Sequence, residues 1–126
     1  MENNKNLETV GKFFGVLMHS RNVFHIKHLQ SKSYAEHVAL DELYSSLPNF
    51  IDSLIENYQG RNGIIDKYTF PIENSQNKTA LEYAVIIRDY IDTTRKVLGT
   101  HSEIQNLVDE LVSQLNSTIY KLTNLK

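Results

Sequence analysis

The residues best suited to chemistry lie close together in the sequence. Four of the five histidines fall within 19 residues, and four acidic residues follow them: His19, His25, His28 and His37, then Asp41, Glu42, Asp52 and Glu56. Of the four acidic residues, Glu42 is expected to face solvent. Imidazole nitrogens and carboxylate oxygens together suit Fe(II), Mn(II) or Zn(II), whereas Ca(II) prefers oxygen ligands alone. This stretch therefore predicts a transition-metal site.

Four of these residues form two pairs on one predicted helix. His37 and Asp41 are four residues apart, as are Asp52 and Glu56, so all four lie on one helical face. Asp41 and Asp52 are nevertheless separated by about 16 Å along the helix axis. Because one metal ion cannot reach both pairs, each pair is half of a site.

A second copy of the chain can complete each half. A two-fold axis near the middle of this helix brings the His37 half of one copy to the Asp52 half of the other, which gives two identical sites per dimer. His25 lies near the end of the preceding helix, and a hairpin places it beside the His37 half. His28, one turn after His25, is an added ligand, a residue that orients a ligand, or plain surface.

Helical periodicity supplies the elements that position these residues. Apolar residues recur at helical spacing over four stretches: about Leu7–Leu29, Tyr34–Tyr58, Thr79–Leu98 and Ser102–Leu125. Ser33 and Ser102 are the predicted N-caps, and Ser33 has Glu36 three residues on, as in a capping box. Pro48 lies inside the second stretch and predicts a kink near Tyr44.

Four helices with one long connection predict an all-α fold, a four-helix bundle that forms a single domain over residues 1–126. The long connection, Gly60–Lys78, is rich in turn-forming residues. It lets the second and third helices run in the same direction, as in ferritin-like bundles. The short Gly99–Ser102 turn makes the third and fourth helices antiparallel neighbours.

Composition narrows the function classes. The chain has 126 residues, no Cys and a net charge of −2, so it offers no disulfide, no thiolate metal site and no overall basic field for nucleic acid. No apolar run reaches the length of a membrane span, and the N-terminus lacks the apolar stretch of a signal peptide. These features favour a cytoplasmic protein with no membrane partner.

The stretch from His25 to Gly60 resembles the Dps proteins, the small ferritins of starved bacteria. In that family a His near the end of the first helix is followed twelve residues on by a second His, then after four by an Asp, and eleven and fifteen residues after that Asp by an Asp and a Glu. The residues at these spacings here are His25, His37, Asp41, Asp52 and Glu56. LDELY at Leu40–Tyr44 and NLVDELVSQLNSTIYKL at Asn106–Leu122 are also similar to the family. HLQSKSYAEH, from His28 to His37, is similar to Dps-like proteins encoded by tailed bacteriophages.

This resemblance implies a ferritin-like fold and a ferroxidase-type centre at a dimer interface. In such a centre one subunit would give His25, His37 and Asp41, and its partner would give Asp52 and Glu56. Fe(II) would be oxidised there to Fe(III) by peroxide or dioxygen, which would store iron and protect against oxidative stress; Mn and Zn are alternative metals. The implied assembly is a homo-oligomer, at least a dimer and, in cage-forming members, a dodecamer.

The sequence also departs from the Dps pattern. Members commonly have a Trp beside the first His, but Ile26 follows His25 and the chain has no Trp. Tyr34 and Tyr44 lie close to the predicted ligands, where core packing and a redox role are the two interpretations. The N-terminal MENNKN has one Lys in place of a Lys-rich tail, which argues against DNA binding.

An alternative function follows from these departures and from Pro48, which sits where the two-fold axis passes. The protein is then a helical structural or interaction protein, for example one encoded by a phage, that keeps the ferritin-like fold without turnover. Stoichiometric metal in the purified protein discriminates the two functions.

Overall fold

The computed structural model describes residues 4–72 and 75–126, and within these ranges the chain is helical and contains no strand. The fold consists of four long helices: α1 (Asn4–Gln30), α2 (Tyr34–Asn62), α3 (Ala80–Thr94) and α4 (Ser102–Asn124). Short 3-10 turns at Ser75–Asn77 and Arg95–Leu98 flank α3. The predicted all-α class is confirmed. The first three residues of MENNKN lie outside the described residues.

Local signals determine where two of the helices begin. The backbone N–H of Glu36 donates to the Ser33 hydroxyl at 3.3 Å, so Ser33 caps α2 as predicted. Thr79 caps α3 in a complete capping box with Glu82. The Glu82 carboxylate accepts a hydrogen bond from the Thr79 backbone N–H, and this bond lowers the pKa of Glu82.

The predicted Ser102 cap is wrong by one residue. His101 is the last extended residue before α4 (φ −65°, ψ 126°) and occupies the cap position without a side-chain hydrogen bond. Ser102 is therefore the first helical residue. In α2, by contrast, the helix runs unbroken through Pro48. Since proline has no N–H, the Tyr44 carbonyl lacks its helical donor there.

The helices run up, down, down and up. α2 is antiparallel to α4, because Lys121 near the end of α4 binds Glu42 near the start of α2, and Arg61 near the end of α2 binds Glu103 at the start of α4. α1 contacts α2 and α3, and α4 contacts the same two helices. The four helices therefore enclose a common core, with α2 and α3 at diagonal positions.

The connection from α2 to α3 runs along α1. The Thr69 N–H donates to the Gly11 carbonyl at 3.4 Å near the start of α1, and the Lys27 ammonium donates to the Lys78 carbonyl at 2.7 Å near its end. α3 therefore begins where α1 ends and runs parallel to α2. Residues 73 and 74 of this connection lie outside the described residues.

The core is built from the predicted apolar stripes. All five members of the α1 stripe are buried: Val10, Phe13, Phe14, Leu17 and Phe24. Their rings contact Tyr58 of α2 and Tyr83 and Tyr90 of α3. On α4, Leu125 was predicted on the stripe but is 48% exposed, because the helix ends at Asn124. No helix in the described ranges has the length and apolar character needed to cross a bilayer.

Two glycines allow the connection to lie directly on α1. A Cβ at Gly11 would overlap the carbonyl oxygen of Lys67, and a Cβ at Gly15 would overlap that of Thr69. Both obstacles are backbone atoms, so a larger residue at either position must displace the connection itself. Glycine is therefore needed at these two positions because there is no room for a side chain, and not because of an unusual backbone conformation.

We expect Gly11→Ala and Gly15→Ala each to lower the free energy of unfolding by about 1–3 kcal/mol, because the connection must move away from α1. Gly60→Ala is the matched control, since Gly60 lies within α2 and a Cβ there meets nothing within 4 Å. That variant should gain about 0.5–1 kcal/mol from helix propensity. Urea unfolding measures all three. Equal stability of the three variants would contradict the contact.

Candidate metal centre

The two histidines on either side of the α1–α2 turn bind each other's backbone. His28 Nδ1 lies 2.8 Å from the His37 carbonyl oxygen, and His37 Nδ1 lies 3.2 Å from the His28 carbonyl oxygen. Their rings stack with centroids 3.8 Å apart and planes 26° apart. Because a carbonyl oxygen only accepts, both Nδ1 atoms carry a proton, and in the neutral rings each Nε2 keeps its lone pair. We call this pair the histidine clasp.

The short turn between the helices holds the histidine clasp in place. The His28 carbonyl also accepts hydrogen bonds from the Ser31 hydroxyl at 3.0 Å and the Ser31 N–H at 3.3 Å. Ser33 then caps α2 and starts the helix four residues before His37. His28 is buried at 7% exposure, whereas His37 is exposed. The buried His28 side chain therefore packs between the helices, whereas the His37 side chain remains accessible to solvent.

A second group of rings lies beside the histidine clasp. The Tyr44 ring stacks on His25 with centroids 4.2 Å apart and planes 11° apart, and its centroid is 5.0 Å from that of His28. The Arg21 guanidinium carbon lies 5.9 Å from the same ring, within the range of a cation–π contact. Tyr34 is 83% exposed, so core packing is wrong for it: as the first residue of α2 it lies outside the packed face.

The three predicted carboxylates are exposed on α2. The Ser45 hydroxyl lies 3.5 Å from Asp41 Oδ1. Asp52 borders a depression of about 300 Å³ together with Met18, Arg21, Pro48 and Ile51. Asp41, Asp52 and Glu56 take part in none of the ion pairs found among the described residues. Their charges are therefore not compensated by an ion pair within the part of the chain that the structure describes.

Glu56 lies beside an arginine that is already engaged. It borders a depression with Arg61 and Glu103, and the Arg61 Nε–H donates to Glu103 at 2.7 Å. The pKa of Glu103 is lowered, first by its own backbone N–H at the start of α4 and then by Arg61. Glu42, which the sequence predicts to face solvent, is half exposed and binds Lys121 of α4. It thus lies away from the predicted ligands.

The described residues of one chain do not assemble a complete metal site. In residues 4–72 and 75–126, no three His, Asp or Glu side chains are placed to hold one ion. The structure brings His25, His28 and His37 to one end of the α1–α2 pair, while Asp52 and Glu56 lie toward the other. A metal lies in the plane of an imidazole ligand at about 2 Å from its nitrogen. Since the planes of the stacked clasp rings do not meet at such a distance, His28 and His37 cannot bind the same ion in this arrangement.

Two features of the site were missed by the sequence reasoning. The stacking of Tyr44 on His25 had no signal beyond the position of both residues near the hairpin. Arg21 had one, since it interrupts the apolar stripe of α1 where α2 packs against that helix. A charged residue at such a position is half-buried and needs a specific environment.

Comparison with known proteins identifies the relatives of this chain. Residues 28–122 match the model of DUF5856, a family of unknown function. The chain belongs to the DUF5856 family. Its similarity extends to the "uncharacterized 14.6 kDa protein in mobD-ri intergenic region" of Enterobacteria phage T4, with 30% identity over 113 residues, 89% of this chain and 86% of the phage protein. No solved structure matches the chain. The DUF5856 match begins at His28, so it contains the histidine clasp and all three carboxylates but not His25.

We expect His28→Ala to lower the free energy of unfolding by about 2 kcal/mol, because it removes a buried ring, its hydrogen bond and its stacking on His37. His37→Ala should cost about 1 kcal/mol or less, since that ring is exposed. His101→Ala is the control: the side chain is exposed and makes no capping hydrogen bond, so its effect should stay within about 0.5 kcal/mol. Urea unfolding is the measurement, and a His28→Ala variant as stable as His101→Ala would refute a structural role of the clasp.

Proposed function

We propose that this protein is a ferritin-like protein of the Dps type that binds Fe(II) at sites shared between two copies of the chain and oxidises it. The single observation that carries the proposal is the division of donors on α2. His37 and Asp41 lie at one end of the exposed face, and Asp52 and Glu56 lie about 16 Å further along. Each half alone has too few ligands for an ion, and no described residue of the same chain forms an ion pair with the carboxylates of either half.

The spacing of these donors supports a two-fold arrangement. The steps between them are four, eleven and four residues, so the pattern is symmetric about a point between Ser46 and Leu47. A two-fold axis at that point sets Asp41 opposite Asp52 of a second copy, and His37 opposite its Glu56. The same operation generates the second site, so both sites of a dimer have the same ligands. His25, stacked on Tyr44, would complete each site from α1.

The charge of the two helices supports the same partner. α1 carries four Lys or Arg and one Glu, whereas α2 carries five Asp or Glu and one Arg. The axis at the middle of α2 places the two acidic α2 helices against each other, and each basic α1, which packs beside its own α2, then flanks the acidic helix of the second copy. Such complementarity favours this pairing and disfavours unlike registers. The up, down, down, up order of the helices supports the ferritin-like part of the proposal.

The chemistry assigned to the site needs little from the protein beyond binding. The carboxylates balance the charge of the ferrous substrate, and the imidazole nitrogens complete its coordination. Two Fe(II) ions give up one electron each, and one peroxide with two protons accepts both electrons and leaves as two water molecules. The relative in phage T4 supports a phage origin for the chain, in which case it acts in the host cytoplasm or the virion.

A second candidate function is favoured by one observation, the histidine clasp. The Nδ1–H groups of His28 and His37 and the stacking of their rings join α1 to α2, which is a structural role. In this case the protein is an interaction protein without turnover, and His37 is retained for the hairpin. The two candidates differ in stoichiometric metal content and in the effect of the carboxylates on iron oxidation.

Half-site complementation tests the proposal. The pair His37→Ala and Asp41→Asn removes one half, and the pair Asp52→Asn and Glu56→Gln removes the other, so each double variant alone should lose Fe(II) oxidation. In an equimolar mixture that exchanges subunits, half of the dimers are mixed, and each mixed dimer rebuilds one of its two sites. We therefore expect about one quarter of the wild-type rate. The absorbance of the ferric product is the readout.

Glu42→Gln is the matched control for this experiment. Glu42 is next to Asp41 in sequence but binds Lys121 of α4, so its loss should leave the rate unchanged. Full activity in either double variant would show that the ligands are assigned wrongly. No recovery in verified mixed dimers would show that the site is not shared. A wild-type protein that binds no stoichiometric metal would favour the interaction protein.

A further inference from the structure

Arg21 lies half-buried between α1 and α2 without an acidic partner in the described part of the chain. Its Nε atom is shielded from solvent and makes no hydrogen bond. Its Nη1 atom donates to the side-chain oxygen of Asn22 at 3.3 Å, and its guanidinium lies over the Tyr44 ring. A shielded donor without an acceptor costs free energy, so the position is unfavourable for a free monomer.

The other three arginines of the chain each bind a carboxylate. The pairs are Arg61–Glu103 at 2.7 Å, Arg88–Asp89 at 3.3 Å and Arg95–Asp109 at 2.6 Å. Arg21 borders the same depression as Asp52, yet the two form no ion pair within 4.0 Å in the residues described. The α1–α2 face therefore holds a cation and several anions that remain unpaired beside each other.

A second copy of the chain changes this balance. In the two-fold arrangement, Asp41 of the second copy faces Asp52, and the two carboxylates repel each other unless a cation lies between them. A bound metal supplies that charge. Without metal, Arg21 is the basic side chain that borders the depression next to Asp52.

We propose that Arg21 binds the Asp41 carboxylate of a second copy and thereby holds the dimer together before metal arrives. This inference rests on the shared-site dimer of the proposed function. The Nε–H is shielded from solvent within one chain, so the Arg21 side chain turns outward when the second copy binds. The Nε–H and an adjacent Nη–H then form one edge of the guanidinium, which matches the two oxygens of a carboxylate. Arg21 is thus a positioning residue that acts on the ligand Asp41. Its contribution is greatest in metal-free protein, because a metal places positive charge in the same region.

Sedimentation equilibrium of the full chain, with metal removed by a chelator, tests this role. Arg21→Gln should raise the dimer dissociation constant by about tenfold or more, and Arg21→Lys should have a smaller effect because it keeps the charge but loses the fork. Arg88→Gln is the control, since Arg88 pairs with Asp89 on α3 and should leave the constant unchanged. Addition of Zn(II), a redox-inert probe of the site, should restore the Arg21→Gln dimer.

A charge swap tests the pairing directly. Arg21→Asp and Asp41→Arg should each weaken the metal-free dimer, whereas the double variant should regain at least part of the affinity because each copy again offers opposite charges. Circular dichroism confirms that the variants are folded, and Arg21→Lys and the swap remain informative if Arg21→Gln is not.

The outcomes separate this inference from the proposed function. A metal-free Arg21→Gln dimer as tight as wild type, or a charge swap without recovery, overturns the role of Arg21. If the wild-type protein dimerises only when Zn(II) is present, the role of Arg21 is overturned but the shared metal site is not. A wild-type protein that stays monomeric with Zn(II) overturns both.

Discussion

The rise of an α-helix is the constraint on which the candidate site depends. Each residue advances the chain by about 1.5 Å, so donors eleven residues apart on α2 remain about 16 Å apart however the side chains turn. α2 is continuous over this distance, through Pro48, and cannot fold back on itself. The donors can therefore meet only across an interface. The rigid helix therefore divides the predicted ligands into two halves, which only a second copy of the chain could bring together.

The distribution of ion pairs divides the surface in the same way. The pairs Lys121–Glu42 and Arg61–Glu103 join α2 to α4, and Arg95–Asp109 fixes the turn between α3 and α4. Each of these exposed pairs contributes little to stability, but together they show on which faces the charged side chains have partners of opposite charge. On the α1–α2 face, charged groups of both signs remain without such partners among the described residues. Residual charge of this kind favours association and steers the approach of a partner.

The elements were predictable from the sequence because helical period and caps are local signals. The period located all four helices, and Ser33 was identified as the cap of α2. Where tertiary contacts decide, the prediction failed: Arg95–Leu98 was assigned to the third helix, but it tightens into a 3-10 turn where Arg95 and Gln105 exchange hydrogen bonds. The candidate site also has features that the sequence predicts and features that it does not. Residue spacing put the carboxylates on one face, whereas the histidine clasp and the exposure of Tyr34 depend on how the hairpin packs.

The connection over Gly11 and Gly15 has a consequence for the order of folding. The two helical hairpins are closed by short turns, so their contacts form between residues near in sequence and can arise early. The contact of Thr69 with Gly11 joins residues far apart in the chain, and it closes a much larger loop. We therefore expect this segment to dock late, after both hairpins exist. Because the segment can lie close to α1 only at Gly11 and Gly15, these two residues fix its position along that helix. That position in turn determines how α3 and α4 align with α1 and α2.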